Sequence, residues 1–193
     1  MKLILASASP WRRELLERLQ VPFDVCVTDV DESPLPGEAP RALALRLAAL
    51  KAETVFRQHP QAIVIGCDQV GTLDGCTPIG KPGTRERAIA QLTAASGHEM
   101  RFHSALALRA PGHAPIDDCV DVRVLFRNLS RPEIERYLDL EADVLHCAGS
   151  AKCEGLGISL LDAIHSDDPT ALIGLPLIRL GTHLRTMGVN PLA

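Results

Sequence analysis

The chain has no apolar run long enough to cross a membrane, and its N-terminus, "MKLILASASPWRRELL", meets Pro10 and two arginines before the apolar core of a secretory signal could form. A cytoplasmic protein is expected. Excess positive charge is lacking too: 20 Lys+Arg stand against 24 Asp+Glu, for a formal charge of −4. A broad basic surface for a nucleic-acid backbone is not expected, and small ligands fit better. The six cysteines, Cys26, Cys67, Cys76, Cys119, Cys147 and Cys153, stand singly, with no C-x-x-C pair and no zinc spacing. They read as small core hydrophobes, with Cys67 beside Asp68, or Cys147 and Cys153 near His146, as the alternative nucleophile or metal set. Repeats, low-complexity tracts and linkers are also missing, so residues 1–193 are expected to form a single domain of two lobes, with no separable domains and a core that needs no disulfide or structural metal.

What the chain does contain is an alternation of strand and helix patterns. "KLILA" reads as a buried strand running into a helix that Ser9 caps and Pro10 opens. "FDVCVTDV" alternates like a half-buried strand, and "APRALALRLAALKAETVFRQH" reads as a long helix carrying Lys51. "QAIVIGC" is a strand apolar enough to be covered on both faces, and it is expected to deliver Asp68 into a loop at its carboxyl end. Beyond the helix "RERAIAQLTAAS", two long strands separated by "PGHAP" form a hairpin around which a second lobe would be built. A capping box at Ser130 and Glu133, a glycine-rich passage, one more strand and a final amphipathic helix complete a mixed-sheet α/β protein.

Two near-misses surround Asp68. "DQVGTLD" approaches the loop of phosphatases that use an aspartate nucleophile, but Val70 occupies the position of their acid. "GCTPIGKP" has the glycine and lysine spacing of a P-loop, with Pro82 where Ser or Thr is required. The residues themselves point to polyphosphate chemistry. Ser7, Ser9 and Arg12 sit at a helix N-terminus, where hydroxyls, free amides and a guanidinium suit phosphate oxygens. Asp68, with Asp29, Asp31 and Glu32 of "DVDESP", offers hard oxygen ligands for Mg²⁺ or Mn²⁺, and Lys51 and Lys81 can neutralise phosphate charge. Solvated turn acids and a simple cap are the bland alternatives. Trp11 is the single tryptophan and stands beside the phosphate residues, where its face could stack on a purine and would attract a cationic ring more strongly than a neutral one. The two carboxylate oxygens of Glu154 could accept the Watson–Crick donors of guanine.

Taken together, "LILASASPWRRELLERL", "VDE", the helix lysine, "GCDQV", "GKP", "QLTAASG" and "AGSAKCEGLG" resemble the Maf-like nucleotide pyrophosphatases over nearly the whole chain. The resemblance is to the YceF-like subgroup, which hydrolyses 7-methyl-GTP to 7-methyl-GMP and diphosphate. A sister subgroup acts on dTTP and UTP and carries Arg, Thr and Gln where this chain has Trp11, Gln69 and Glu154. The resemblance implies a Maf/ITPase-like fold, an elongated mixed sheet flanked by helices with a cleft between two lobes, commonly a homodimer. It further implies a hydrolase acting on acid anhydrides with a divalent metal. Asp68 would be the proton acceptor, Ser7, Arg12, Lys51 and Lys81 the substrate-binding set, Glu32 and Asp68 the metal ligands, and Trp11, Gln69 and Glu154 the specificity residues. The "GTLDGCTPI" stretch between Asp68 and Lys81 departs from the family pattern. The rivals are dTTP/UTP specificity on the same fold, a non-enzymatic regulator of septum formation, and an aspartyl-phosphate phosphatase.

Overall fold

The computed structural model describes residues 1–193, the side chain of Ala142 excepted. Six strands form one mixed sheet: β1 (Leu3–Ala6), β2 (Asp24–Val25), β3 (Ile63–Thr72), β4 (Glu99–Arg109), β5 (Ile116–Phe126) and β6 (Leu161–His165), in the order β2-β1-β3-β4-β5-β6. The β1 strand runs parallel to β2 and β3, and the pairings from β3 to β6 are antiparallel. Five helices flank it: α1 (Pro10–Glu17), α2 (Pro40–Gln58), α3 (Arg85–Ala95), α4 (Arg131–Leu140) and α5 (Leu177–Thr186). The expected α/β mixed sheet is present, and local signals account for much of it. Ser9 caps α1 with Pro10 in its first turn, and the Ser130–Glu133 capping box opens α4.

Alternation along β3 divides the core. Ile63, Ile65 and Cys67 pack with Leu3, Leu5, α1 and α5 on one face, while Val64 and Val70 pack with Ile4, Ala6 and α2 on the other. A third cluster joins Met100 and Phe102 of β4 to Val122, Val124 and Phe126 of β5, with α3 and α4 against them. The hairpin thus carries the second mass of core, as its long alternating strands imply.

Two expectations fail here. The "FDVCVTDV" strand shrinks to two exposed residues, because β1, its only partner, ends at Ala6 and the chain then leaves the edge. Asp68 does not emerge into a loop either. It lies inside β3, which β1 pairs only from Ile63 to Gly66 but β4 continues to pair as far as Thr72. A buried antiparallel neighbour extends the strand where the apolar run stops. Beyond Gly66, therefore, β3 has one paired edge and one largely open edge, and the site is built on the open one.

Candidate functional site

At Gly66 the helix α2 lies against the strand. A Cβ there would collide with the carbonyl of Ala48 and come within 2.7 Å of the Ala52 amide nitrogen. Ala48, Lys51 and Ala52 share a helix face by their spacing of three and four, so the contact that needs glycine also aims Lys51 at the next residue on that face of β3, Asp68. Both are buried, and Lys51 Nζ donates to Asp68 Oδ1 at 2.7 Å. The same ammonium lies 2.6 Å from Glu32 Oε1. One cation thus holds two carboxylates together. Burial pushes the Glu32 carboxyl up, but the Lys51 hydrogen bond and the charges of Lys51, Lys81 and Arg12 outweigh that and hold it below its ordinary value. Asp68 Oδ2 has no partner among the described residues, where no buried side-chain oxygen lacks one, so this oxygen is open to the cleft that Asp68 lines.

Of the acids in "DVDESP", Glu32 alone joins this pair; Asp31 instead accepts from the Ser33 amide at 2.9 Å, and neither Asp29 nor Asp31 lines the cleft. The segment bearing Glu32 is tied down by Arg46 of α2, which donates to Glu38 at 2.6 and 2.8 Å and to the Ser33 carbonyl at 3.0 Å. Sequence reasoning passed over both residues, since an arginine and a glutamate eight positions apart carry no local signature.

The start of α1 borders the open edge of β3. Ser9 accepts from the Arg12 amide as a cap at 3.4 Å, and its own amide donates to Ser7 Oγ at 3.2 Å. The Arg12 guanidinium donates to the Cys67 carbonyl, left unpaired where β1 ends, and to the Gly174 carbonyl, both at 3.0 Å. Its Nη2 has no partner among the described residues. Lys81 arrives by way of the departing stretch. Asp74 gathers the amides of Cys76 and Thr77 at 2.8 and 2.6 Å, and Ile79 pairs with Gly71 across a β-bridge, so the turn doubles back and returns Gly80 and Lys81 to the cleft. The exposed Lys81 has no ion-pair partner among the described residues.

A cavity of about 670 Å³ joins Ser7, Ser9, Trp11, Arg12, Glu32, Lys51, Asp68, Gln69, Lys81 and Glu154. Asp29 and Asp31 apart, the residues expected at the site line this one cavity. Three cations and two carboxylates line one part of it, and the half-buried Trp11 and Gln69, the exposed Glu154 and the apolar Phe102, Val124 and Leu172 line the rest. Glu154 is presented by the 147–155 passage, which Tyr137 and Glu141 fasten: the Tyr137 hydroxyl accepts from the Lys152 amide at 3.0 Å, and Glu141 accepts from the Leu156 amide at 2.9 Å.

The cysteine alternative is overturned. Burial pushes the Cys67 thiol up to about 11, and Cys147 and Cys153 up to about 12, so none is a ready thiolate. Nor do His146, Cys147 and Cys153 form a three-donor group. Among the described residues that geometry occurs only at His103, Cys119 and Asp121, outside the cleft, where Asp121 is shared with Arg41 at 3.6 Å. Glu32 and Asp68, by contrast, are hard oxygen donors of the kind that suits a small divalent cation; one oxygen of each is turned to the Lys51 ammonium, and each carboxylate keeps its second oxygen.

A 7-methyl-GTP pyrophosphatase of Burkholderia thailandensis is 58% identical over 192 residues, covering 97% of this chain and 88% of that protein. One from Xanthomonas oryzae pv. oryzae is also 58% identical, covering 98% of each chain. The solved Ham1 protein of Staphylococcus aureus superposes with a TM-score of 0.49 at 16% identity, over 66% of this chain and 73% of that one. The family model described as Maf-like protein matches residues 2–187, and the chain belongs to the Maf family.

Proposed function

We propose that this protein is a cytoplasmic, homodimeric pyrophosphatase that hydrolyses 7-methyl-GTP to 7-methyl-GMP and diphosphate in the presence of a divalent cation. What carries this reading is the pairing, in one cavity, of the Lys51–Glu32–Asp68 cluster with Trp11 and Glu154. Relatives named for that activity, 58% identical to the chain, support it.

Arg12, Lys51 and Lys81 bind the triphosphate and balance charge that grows on its oxygens as the bond breaks. Asp68, held through Oδ1 by Lys51, keeps Oδ2 for a water and takes a proton from it as the water oxygen attacks the α-phosphorus. The bridging P–O bond breaks and diphosphate leaves. Glu32 and Asp68 would hold Mg²⁺ or Mn²⁺, which when bound supplies Lewis acidity and neutralises phosphate charge. Trp11 stacks on the base. N7 methylation makes guanine cationic, which adds a cation–π attraction of roughly 0.5–2 kcal/mol that GTP lacks. The Glu154 carboxylate accepts from the purine's Watson–Crick donors and repels the carbonyls of uracil.

Turnover of a nucleotide panel, with diphosphate and orthophosphate measured separately, tests the proposal. The expected result is diphosphate release, fastest from 7-methyl-GTP, abolished by exhaustive chelation and restored by Mg²⁺ or Mn²⁺. Trp11→Ala should shrink the 7-methyl-GTP over GTP ratio, and Glu154→Gln should weaken discrimination against UTP. Preference for dTTP or UTP would refute the substrate assignment, absence of turnover with every nucleotide the enzymatic one, and full activity under chelation the metal requirement. Light scattering of the eluting protein tests the dimer.

A further inference from the structure

Gln69 leaves β3 on the face opposite Asp68, and its side-chain nitrogen lies 2.9 Å from each of three acceptors: Ser104 Oγ on β4 and the main-chain carbonyls of Ala171 and Leu172. An amide nitrogen carries two hydrogens, so these acceptors saturate it. The Ser104 hydroxyl, fully buried, donates its own proton to the Ala171 carbonyl, and towards Gln69 it can only accept. A flipped amide would set Oε1 against two carbonyl oxygens and a hydroxyl whose proton is already engaged. The orientation follows from chemistry. Oε1 has no partner among the described residues, and since no buried side-chain oxygen among them lacks one, Oε1 faces the cleft that Gln69 lines.

The carbonyls that fix this amide belong to a tightly tied segment. Asp168 is a buried carboxylate whose Oδ2 accepts from the Ile178 and Arg179 amides at 2.7 and 3.3 Å, at the N-terminus of α5, where negative charge is favoured. Its Oδ1 accepts from the Thr170 hydroxyl at 2.7 Å and the Thr170 amide at 3.1 Å. The short 3₁₀ turn Ala171–Ile173 follows and ends at Gly174, whose φ of 117° is open to glycine and whose carbonyl holds Arg12. One segment therefore supports Gln69 at the base end of the cleft and Arg12 at the phosphate end.

We propose that Ser104 and the Asp168–Gly174 segment are positioning groups that make Gln69 an acceptor-only contact, and that the substrate presents a hydrogen-bond donor to Gln69 Oε1. This rests on the nucleotide reading above. In such a substrate the donor is either the exocyclic amine of the purine or a ribose hydroxyl. Both belong to the same chemistry, and analogues lacking one donor each distinguish them.

The experiment measures kcat and KM for 7-methyl-GTP, its 7-methylinosine counterpart, and its 2′-deoxy and 3′-deoxy forms, with the wild-type protein and with Gln69→Met, Ser104→Ala and Thr170→Ala. Wild-type protein is expected to lose roughly tenfold in kcat/KM on the analogue that lacks the donor to Gln69, the value of a single hydrogen bond left unmade, while a loss on the inosine form that belongs to Glu154 persists in Gln69→Met. Gln69→Met should bring the tenfold penalty down to about threefold or less. Ser104→Ala should move it in the same direction, mainly through KM, and Thr170→Ala serves if the serine variant does not fold. A Ser104 with a merely structural role would lower thermal stability and leave the ratios between analogues unchanged. Equal treatment of all four nucleotides by the wild-type enzyme, or wild-type ratios in Gln69→Met, overturns the proposal while leaving the 7-methyl-GTP reading intact. Preference for dTTP or UTP overturns both.

Discussion

Asp68 is tied to Lys51 through one oxygen and open through the other, which separates holding from chemistry within a single carboxylate. Asp68→Asn preserves the shape and leaves Lys51 its Glu32 partner, so the fold should survive while kcat falls roughly 10²- to 10⁴-fold, the usual worth of a general base. A folded variant with near-normal turnover would remove Asp68 from the mechanism, and circular dichroism with steady-state kinetics decides it. Glu32 gives a pH signature. Its carboxyl is held below its ordinary value of 4.5, so the bridge to Lys51 contributes fully above that pH and is lost as pH falls through the lower folded-state value. The thermal midpoints of wild type and Glu32→Gln should differ slightly at neutral pH and converge in acid. The difference should be small, because the Glu32 side chain is 57% exposed and solvent screens it.

Among the elements, the crossing of α2 over β3 matters most to the site. Gly66→Ala would drive a methyl group into the α2 backbone, which cannot rotate away as a side chain could. Overpacking of this kind costs about 1–3 kcal/mol, and the shift that relieves it would draw Lys51 away from Asp68. Denaturant unfolding should show the lost stability, and kcat should fall with it even though Gly66 touches no substrate. Loss of stability with unchanged kcat would mean that the helix tilts about Lys51 instead of retreating. The turn from Leu73 to Ile79 works differently. Its Asp74 knot and the Gly71–Ile79 bridge are local, and they return Lys81 to the cleft without a helix or strand to carry it.

For the molecule as a whole, the strand β4 takes part in both masses of core: Leu106 and Leu108 pack beside α1 and α5, while Met100 and Phe102 of the same strand pack beside α3 and α4. We propose on this ground that residues 1–193 unfold as one cooperative unit and not as two lobes in succession. Calorimetric and van't Hoff enthalpies should agree, and fluorescence of Trp11 should report the same midpoint as far-UV circular dichroism. Two resolved transitions would mean that the lobes are separable. At this scale the line between sequence and structure is also drawn. The cap of α1, the Ser130–Glu133 box, the alternating hairpin and the cluster of Ser7, Trp11 and Arg12 at a helix start were legible in the sequence, because each depends on residues a few positions apart. The length of β3, the Arg46–Glu38 tie and the "DPTALIGLP" clamp were not. Each is decided by a partner far along the chain, as when Gln69 meets Ala171 across 102 positions and Arg12 meets Gly174 across 162. Periodicity records which face of an element is apolar. It carries no record of which carbonyl will lie against that face once the chain has closed, so the sequence determined the chemical groups of this site and the tertiary structure decided which of their atoms are held and which are left for the substrate.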